Sequence, residues 1–244
     1  MIQQQIDIQT RDGDMTTFIV HPDREGPHPV VLFFMDAPGF RGELRDMARR
    51  LATSGYYVML PNLYYRSGAM ELGPLPVDPD TPERKRMYEL MSSINIELVM
   101  QDAEALLGFA GADAAADARQ AGAVGYCMSG RYAINAVGRF EGVVKAGASY
   151  YGTHLITDQP NSPHLVAQAT KGETYFACAE IDHWAPMEMV EALQAALADT
   201  PQAEVELYPG VEHGFAFPKR YCFNRDAAET HWERMLALFG RNLG

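Results

Sequence analysis

Apolar and polar residues alternate from Ile2 to Gln9, and after the turn signal Asp12-Gly13 a second extended run reaches from Met15 to Val20. The pattern predicts an antiparallel hairpin at the edge of a sheet. Pro29 to Met35 is apolar throughout, as a strand covered on both faces requires, and it stops at Asp36-Ala37-Pro38-Gly39. From Glu43 to Thr53 the apolar positions Leu44, Met47, Ala48 and Leu51 recur at helical spacing, and Tyr56 to Leu60 is the next strand. Two helices follow: one from Thr81-Pro82 toward Met91, with a capping residue ahead of proline, and one from Asn95 to Ala110. Later strands are expected at residues 121–126, 143–151, 173–179 and 204–208. Helices are expected to Val137, from Pro186 to Ala198, and from Ala227 to Phe239.

Strands that alternate with helices after an opening hairpin predict an α/β fold, with a mostly parallel central sheet covered by helices on both faces. Residues 61–80, rich in proline and glycine, form a connection longer than ordinary loops and a candidate rim for a site. Residues 111–120 and 152–171 read as further connections.

One stretch stands apart. Ala123-Val124-Gly125-Tyr126-Cys127-Met128-Ser129-Gly130-Arg131 reads as a strand that turns abruptly into a helix with a cysteine at the corner. Glycines on both sides let backbone pass close to a side chain held in a strained turn. The helix opening behind Cys127 aims free N–H groups at the thiol, which favours thiolate and any oxyanion beside it. Most cysteines are small buried hydrophobes, and that reading competes here. A phosphate-loop reading fails, because Arg131-Tyr132 stand where lysine and serine or threonine are required.

Length and charge narrow the classes. With 244 residues and 47% hydrophobic content the chain can bury a sizeable core, and one domain over residues 1–244 is expected. A net charge of -12 argues against nucleic acid or an anionic membrane face as a partner. The cysteines at 127, 178 and 222 make neither a disulfide framework nor a C-x-x-C motif, which fits a reducing compartment. The first residues lack the basic start and apolar run of a signal peptide, and no uncharged segment reaches membrane-spanning length, so a cytoplasmic location is expected.

Three polar residues follow three expected strands: Cys127, then Asp182, then His213. Nucleophile, acid and base in that order is the arrangement of α/β-hydrolases. A thiol needs a neighbouring imidazole to take its proton, and the imidazole needs a carboxylate to fix its tautomer and stabilise its charged form. Glu180 or Glu212 could supply the carboxylate instead of Asp182, and His183 is the alternative base. The remaining histidines have no partners at ligand spacing, so neither a metal nor a cofactor is expected.

The segment Gly125-Tyr126-Cys127-Met128-Ser129-Gly130, with Asp182, His213-Gly214-Phe215 and Asn62-Leu63-Tyr64-Tyr65-Arg66, resembles the dienelactone hydrolase family of α/β-hydrolases. The resemblance spans nearly the whole chain. It implies an α/β-hydrolase fold in which Cys127, Asp182 and His213 form the triad and the N–H groups of Met128 and Ala37 form the oxyanion hole. It also implies that Asp36, where the family usually has glutamate, helps to ionise the thiol, and that Arg66 grips a substrate carboxylate. A second arginine of the family pattern is Phe217 here, and Ser129 replaces a glycine. These departures point toward a more apolar ester or lactone, with Tyr64, Tyr65, Trp184, Phe215 and Phe217 lining an aromatic pocket. The function expected is cofactor-free hydrolysis of a small ester or lactone through an acyl-enzyme, with a small molecule as the partner. A thioesterase, a general carboxylesterase and a non-catalytic ligand-binding module are the alternatives.

Overall fold

The N-terminal alternation becomes a hairpin in the computed structural model. Strand β1 (Ile2–Thr10) pairs antiparallel with β2 (Gly13–His21), from Ile2↔His21 to Thr10↔Gly13. Every residue except Glu25, Pro74 and Val77 is described, and the chain divides into two units, Met1–Ala118 and Arg119–Gly244.

In the first unit β2 pairs antiparallel with β4 (Tyr57–Pro61), and β4 lies parallel to β3 (His28–Phe34). The strand order there is β1-β2-β4-β3. All five residues of β4 are buried, as are all of β3 except Pro29, which is why these segments are apolar without alternation. Helix α1 (Gly42–Ala52) packs on β4 and β2 through Leu44, Met47, Ala48 and Leu51, the positions its periodicity marks. Helix α2 (Pro82–Ser92) begins at Thr81, whose hydroxyl accepts from the Arg84 N–H, and α3 (Ile96–Ala112) begins at Asn95, whose side chain accepts from Leu98. Pro74 and Val77 of the expected rim lie outside the described residues. The described part of that connection includes a single 3-10 turn, Tyr65–Ser67.

The second unit carries four parallel strands in the order β5-β6-β7-β8: β5 (Ala116–Tyr126), β6 (Val144–Tyr150), β7 (Glu173–Ile181) and β8 (Ala203–Glu212). β5 starts five residues before the expected position, because its first residues are half-exposed and lack the apolar run that marks the rest. Helices α4 (Gly130–Arg139), α5 (Pro163–Ala169), α6 (Met187–Leu197) and α7 (Arg225–Leu243) complete it; α5 lies where a plain loop is expected.

Alternation along the strands separates the helices. Phe176 and Cys178 of β7 pack with Ile134, Ala167, Val190 and Leu193 of α4, α5 and α6. Tyr175 points the other way, toward Tyr150 at 5.8 Å, and Tyr150 stands edge-on to His231 of α7 at 4.3 Å. The backbone of Gly122 on β5 is close enough to α7 that an added Cβ would lie 2.7 Å from the Phe239 ring. Helices thus cover both faces of this unit's strands.

Candidate active site

Cys127, Asp182 and His213 each directly follow a parallel strand of the second unit: β5, β7 and β8. Parallel strands end on the same edge, so three residues far apart in sequence are delivered to one border. The register pairs Ile181 with Glu212, so the next residues on each strand are Asp182 and His213.

At the end of β5 the backbone turns sharply. Cys127 has φ 57°, the left-handed region that side chains other than glycine rarely adopt, and it opens the single 3-10 turn Cys127–Ser129 that leads into α4. The turn closes only because Gly125 and Gly130 have no side chain. A Cβ at 125 would overlap the Ser129 carbonyl, and one at 130 would overlap the Ser149 hydroxyl. A Cβ at Gly152 would overlap the same hydroxyl, and the Thr153 N–H donates to the Cys127 carbonyl over 3.2 Å. Among the described residues the only other non-glycine positions with positive φ are Tyr151 and His154, which flank that contact.

Asp182 is buried with both oxygens committed. Its Oδ1 accepts from the N–H groups of Trp184 (2.8 Å) and Ala185 (3.1 Å), and its Oδ2 accepts from His213 Nδ1 at 2.7 Å. The Nδ1 of His213 therefore carries a proton, and Nε2 is the nitrogen left out of that bond. Nε2 is buried and meets no partner in full hydrogen-bond geometry, and the thiol of Cys127 is the group that acts on it. Burial, the largest influence on the ring, works against its charge. The Cys127 charge and the Asp182 hydrogen bond outweigh it, and the pKa of His213 is raised from 6.5 to about 10.

The other cysteines contrast with this corner. Cys178 is buried in aliphatic packing, and burial, assisted by Asp182, pushes its thiol up to about 12. Cys222 is half-buried, with its thiol donating to the His213 carbonyl and its pKa raised chiefly by burial. His183 is exposed beside Trp184, and Glu180 accepts from the Gly210 N–H at 2.6 Å, so neither stands in for His213 or Asp182.

Several residues expected at a substrate surface do other work. In the first unit, Arg66 spends its guanidinium on acids: Nη1 and Nη2 each donate 2.8 Å to Asp102, and Nε donates 2.7 Å to Asp12. Burial opposes its charge, but these bonds prevail and raise its pKa. Tyr65 joins the same network, with its hydroxyl 2.9 Å from Asp102 and 2.7 Å from Thr10. Tyr64 is buried and donates 2.9 Å to the Ala37 carbonyl, which fixes the loop after β3. Asp36, fully buried, is held by Arg41, which also bonds Glu43. Phe215 and Phe217 have no exposed surface and form the wall behind the histidine, with Phe215 5.3 Å and Phe217 6.1 Å from the Tyr151 ring. Trp184 alone of the expected aromatic lining is open, at 54% exposure.

Sequence reasoning passed over Tyr151, whose ring meets that of His213 edge-on at 5.0 Å. The strained backbone at 151 and 154 leaves no mark in residues other than glycine, so pattern alone does not find this turn. Among the described residues no group of three or more His, Cys, Asp or Glu could hold a metal, and no described helix is long and apolar enough to cross a membrane.

A Methylorubrum extorquens protein provisionally named a carboxymethylenebutenolidase is 27% identical over 98% of this chain and 81% of its own length. The carboxymethylenebutenolidase of Pseudomonas putida is 25% identical over 97% of this chain and 95% of its own. The crystal structure of a Klebsiella pneumoniae protein, provisionally named a dienelactone hydrolase, superposes with a TM-score of 0.86 at 24% identity, covering 98% of both chains. That likeness establishes the α/β-hydrolase fold with its mixed sheet and N-terminal antiparallel hairpin. Residues 15–243 match the dienelactone hydrolase family, and the chain belongs to it.

Proposed function

We propose that the protein hydrolyses a small ester or lactone with Cys127 as nucleophile, His213 as proton carrier and Asp182 as the group that orients it. The observation that carries this reading is the 2.7 Å bond from His213 Nδ1 to Asp182 behind a cysteine held at φ 57°. The raised pKa of His213 supplies a charged ring beside the Cys127 sulfur. Sulfur attacks the carbonyl carbon, the C–S bond forms, and the displaced electron pair on oxygen is met by the Met128 N–H. As the C–O bond breaks, the leaving oxygen takes the proton from His213 Nε2. The thioester so formed carries no charge on sulfur. With that charge gone, the pKa of His213 falls, and the neutral ring can take a proton from water and drive release of the acid.

One nucleophile thus tunes its own base between the two half-reactions. A serine at 127, neutral at rest, would leave His213 to act without that change of charge.

Iodoacetamide followed by mass spectrometry is expected to label Cys127 well before Cys222 and Cys178, and Cys127→Ala is expected to abolish p-nitrophenyl acetate hydrolysis. Equal labelling of the three thiols, or turnover undiminished in Cys127→Ala, would end this reading.

A further inference from the structure

The turn after β6 departs from the backbone conformations that the strands and helices around it adopt. Tyr151 has φ 38°, where a residue with a Cβ is strained, and His154 in the same turn has φ 55°. Such an outlier costs free energy and persists only where its surroundings over-determine it. Glycine would take the conformation of residue 151 without strain, yet the position holds a tyrosine with only 1% of its surface exposed. What the strained backbone secures is the place of that ring.

The turn reaches each arm of the proposed triad. The Thr153 N–H donates 3.2 Å to the Cys127 carbonyl, and the Tyr151 N–H donates 2.7 Å to the carbonyl of Ala177 on β7, the strand that leads to Asp182. The Tyr151 ring stands edge-on to His213 at 5.0 Å. That ring is wedged in turn by Phe215 at 5.3 Å, Phe217 at 6.1 Å and Tyr126, the residue before Cys127, at 5.9 Å. An imidazole anchored at its Cβ and bonded through Nδ1 to Asp182 keeps one freedom, a rocking about those two points. Rocking carries Nε2 toward or away from the Cys127 sulfur, and a rigid aromatic ring against the imidazole restricts it.

We infer that Tyr151 is a positioning residue: its ring, held by the strained turn that also docks on Cys127, keeps His213 Nε2 against the nucleophile. This deepens the hydrolase reading above and rests on it. The role belongs to the ring, because the contacts with His213, Phe215, Phe217 and Tyr126 are all made by rings. Burial opposes the charge of His213, and Cys127 and Asp182 are the groups that favour it. Asp182 is fixed separately by the N–H groups of Trp184 and Ala185, so loss of the Tyr151 ring acts chiefly on the approach of Nε2 to sulfur.

The test compares wild type with Tyr151→Leu and Tyr151→Phe. The ring resonances of His213, identified by their loss in His213→Gln, are followed by NMR as a function of pH, and p-nitrophenyl acetate hydrolysis is measured beside them. In Tyr151→Leu the His213 midpoint is expected to move from about 10 toward 6.5 by at least about one unit. Its kcat is expected to fall at least about tenfold, with KM changed by less than about threefold. Tyr151→Phe, which keeps the ring, is expected to restore most of both. A midpoint in Tyr151→Leu within about half a unit of wild type, or a loss in Tyr151→Phe as large as in Tyr151→Leu, would overturn the positioning role and leave the hydrolase reading intact. Should wild type fail to cleave the ester, the hydrolase reading falls, and the His213 midpoints alone decide what the ring does. Melting temperatures identify a variant that fails to fold, and Tyr151→Met, whose flexible side chain fills the space without a ring, then carries the comparison.

Discussion

Gly130 and Gly125 show how far the turn at Cys127 can be specified by the absence of a side chain. The Cβ that alanine would add at 130 has nowhere to go, since the Ser149 hydroxyl lies on one side and the Gly152 backbone at 2.8 Å on another. Neither is the flexible end of a long side chain. Gly130→Ala is expected to cost about 1–3 kcal/mol, the usual range for overpacking, and to slow iodoacetamide labelling of Cys127 by distorting the turn. Gly108, in α3 with open space around its Cα, is the control, because Gly108→Ala should gain up to about 1 kcal/mol from helix propensity. Urea denaturation of the two variants separates them, and equal stabilities would show that the corner yields. The spacing of Gly125 and Gly130 around Cys127 was readable in the chain because glycine announces a tight passage. Gly152 and the strained Tyr151 and His154 were not, since their constraint comes from contact with a distant segment.

At the scale of elements, the pairing of β7 with β8 decides whether Asp182 and His213 meet. A shift of one residue in the Ile181↔Glu212 register would turn Asp182 or His213 to the opposite face and break the 2.7 Å bond. That bond and the neighbouring sulfur charge raise the pKa of His213 in the folded state from 6.5 to about 10. A raised histidine pKa means the folded state binds the proton more tightly, so the stabilisation is complete below about pH 6.5 and disappears as the pH climbs through 10. The difference in melting temperature between wild type and His213→Gln is therefore expected to be largest at pH 6, to shrink steadily toward pH 10, and to vanish above it. A difference that grows with pH would contradict the ion pair. The order acid then base at successive strand ends could be read from sequence. The fate of Arg66 could not, because its partner Asp102 sits among the buried Val99, Ala103 and Leu106 of α3. An acid on an otherwise apolar helix face was the only sign that a cation nearby was already taken.

Across the whole molecule, the family match runs from residue 15 to 243, through both units, yet the last helix shows most plainly how distant sequence supports the turn at Cys127. His231 of α7 looked like a histidine without partners, and the structure buries it completely. Its Nδ1 lies 3.1 Å from the Ala228 carbonyl, which can only accept, so Nδ1 carries the hydrogen and Nε2 accepts from the Tyr126 hydroxyl at 2.8 Å. Tyr126 is the residue immediately before Cys127, and Tyr150 donates 3.0 Å to the His231 carbonyl, so one helical residue ties together the ends of β5 and β6. Removing either partner alone leaves a buried polar group unsatisfied, at about 1–3 kcal/mol, whereas removing both leaves none. A double-mutant cycle of Tyr126→Phe and His231→Phe, measured by urea denaturation, should therefore show the double variant at least 0.5 kcal/mol more stable than the sum of the single losses implies. Strict additivity would mean that the hydrogen bond contributes nothing and that α7 supports the corner by ring packing alone. The iodoacetamide rate at Cys127 in His231→Phe tells the two apart at the site itself, because a loosened Tyr126 changes that rate and packing preserved by the phenyl ring does not.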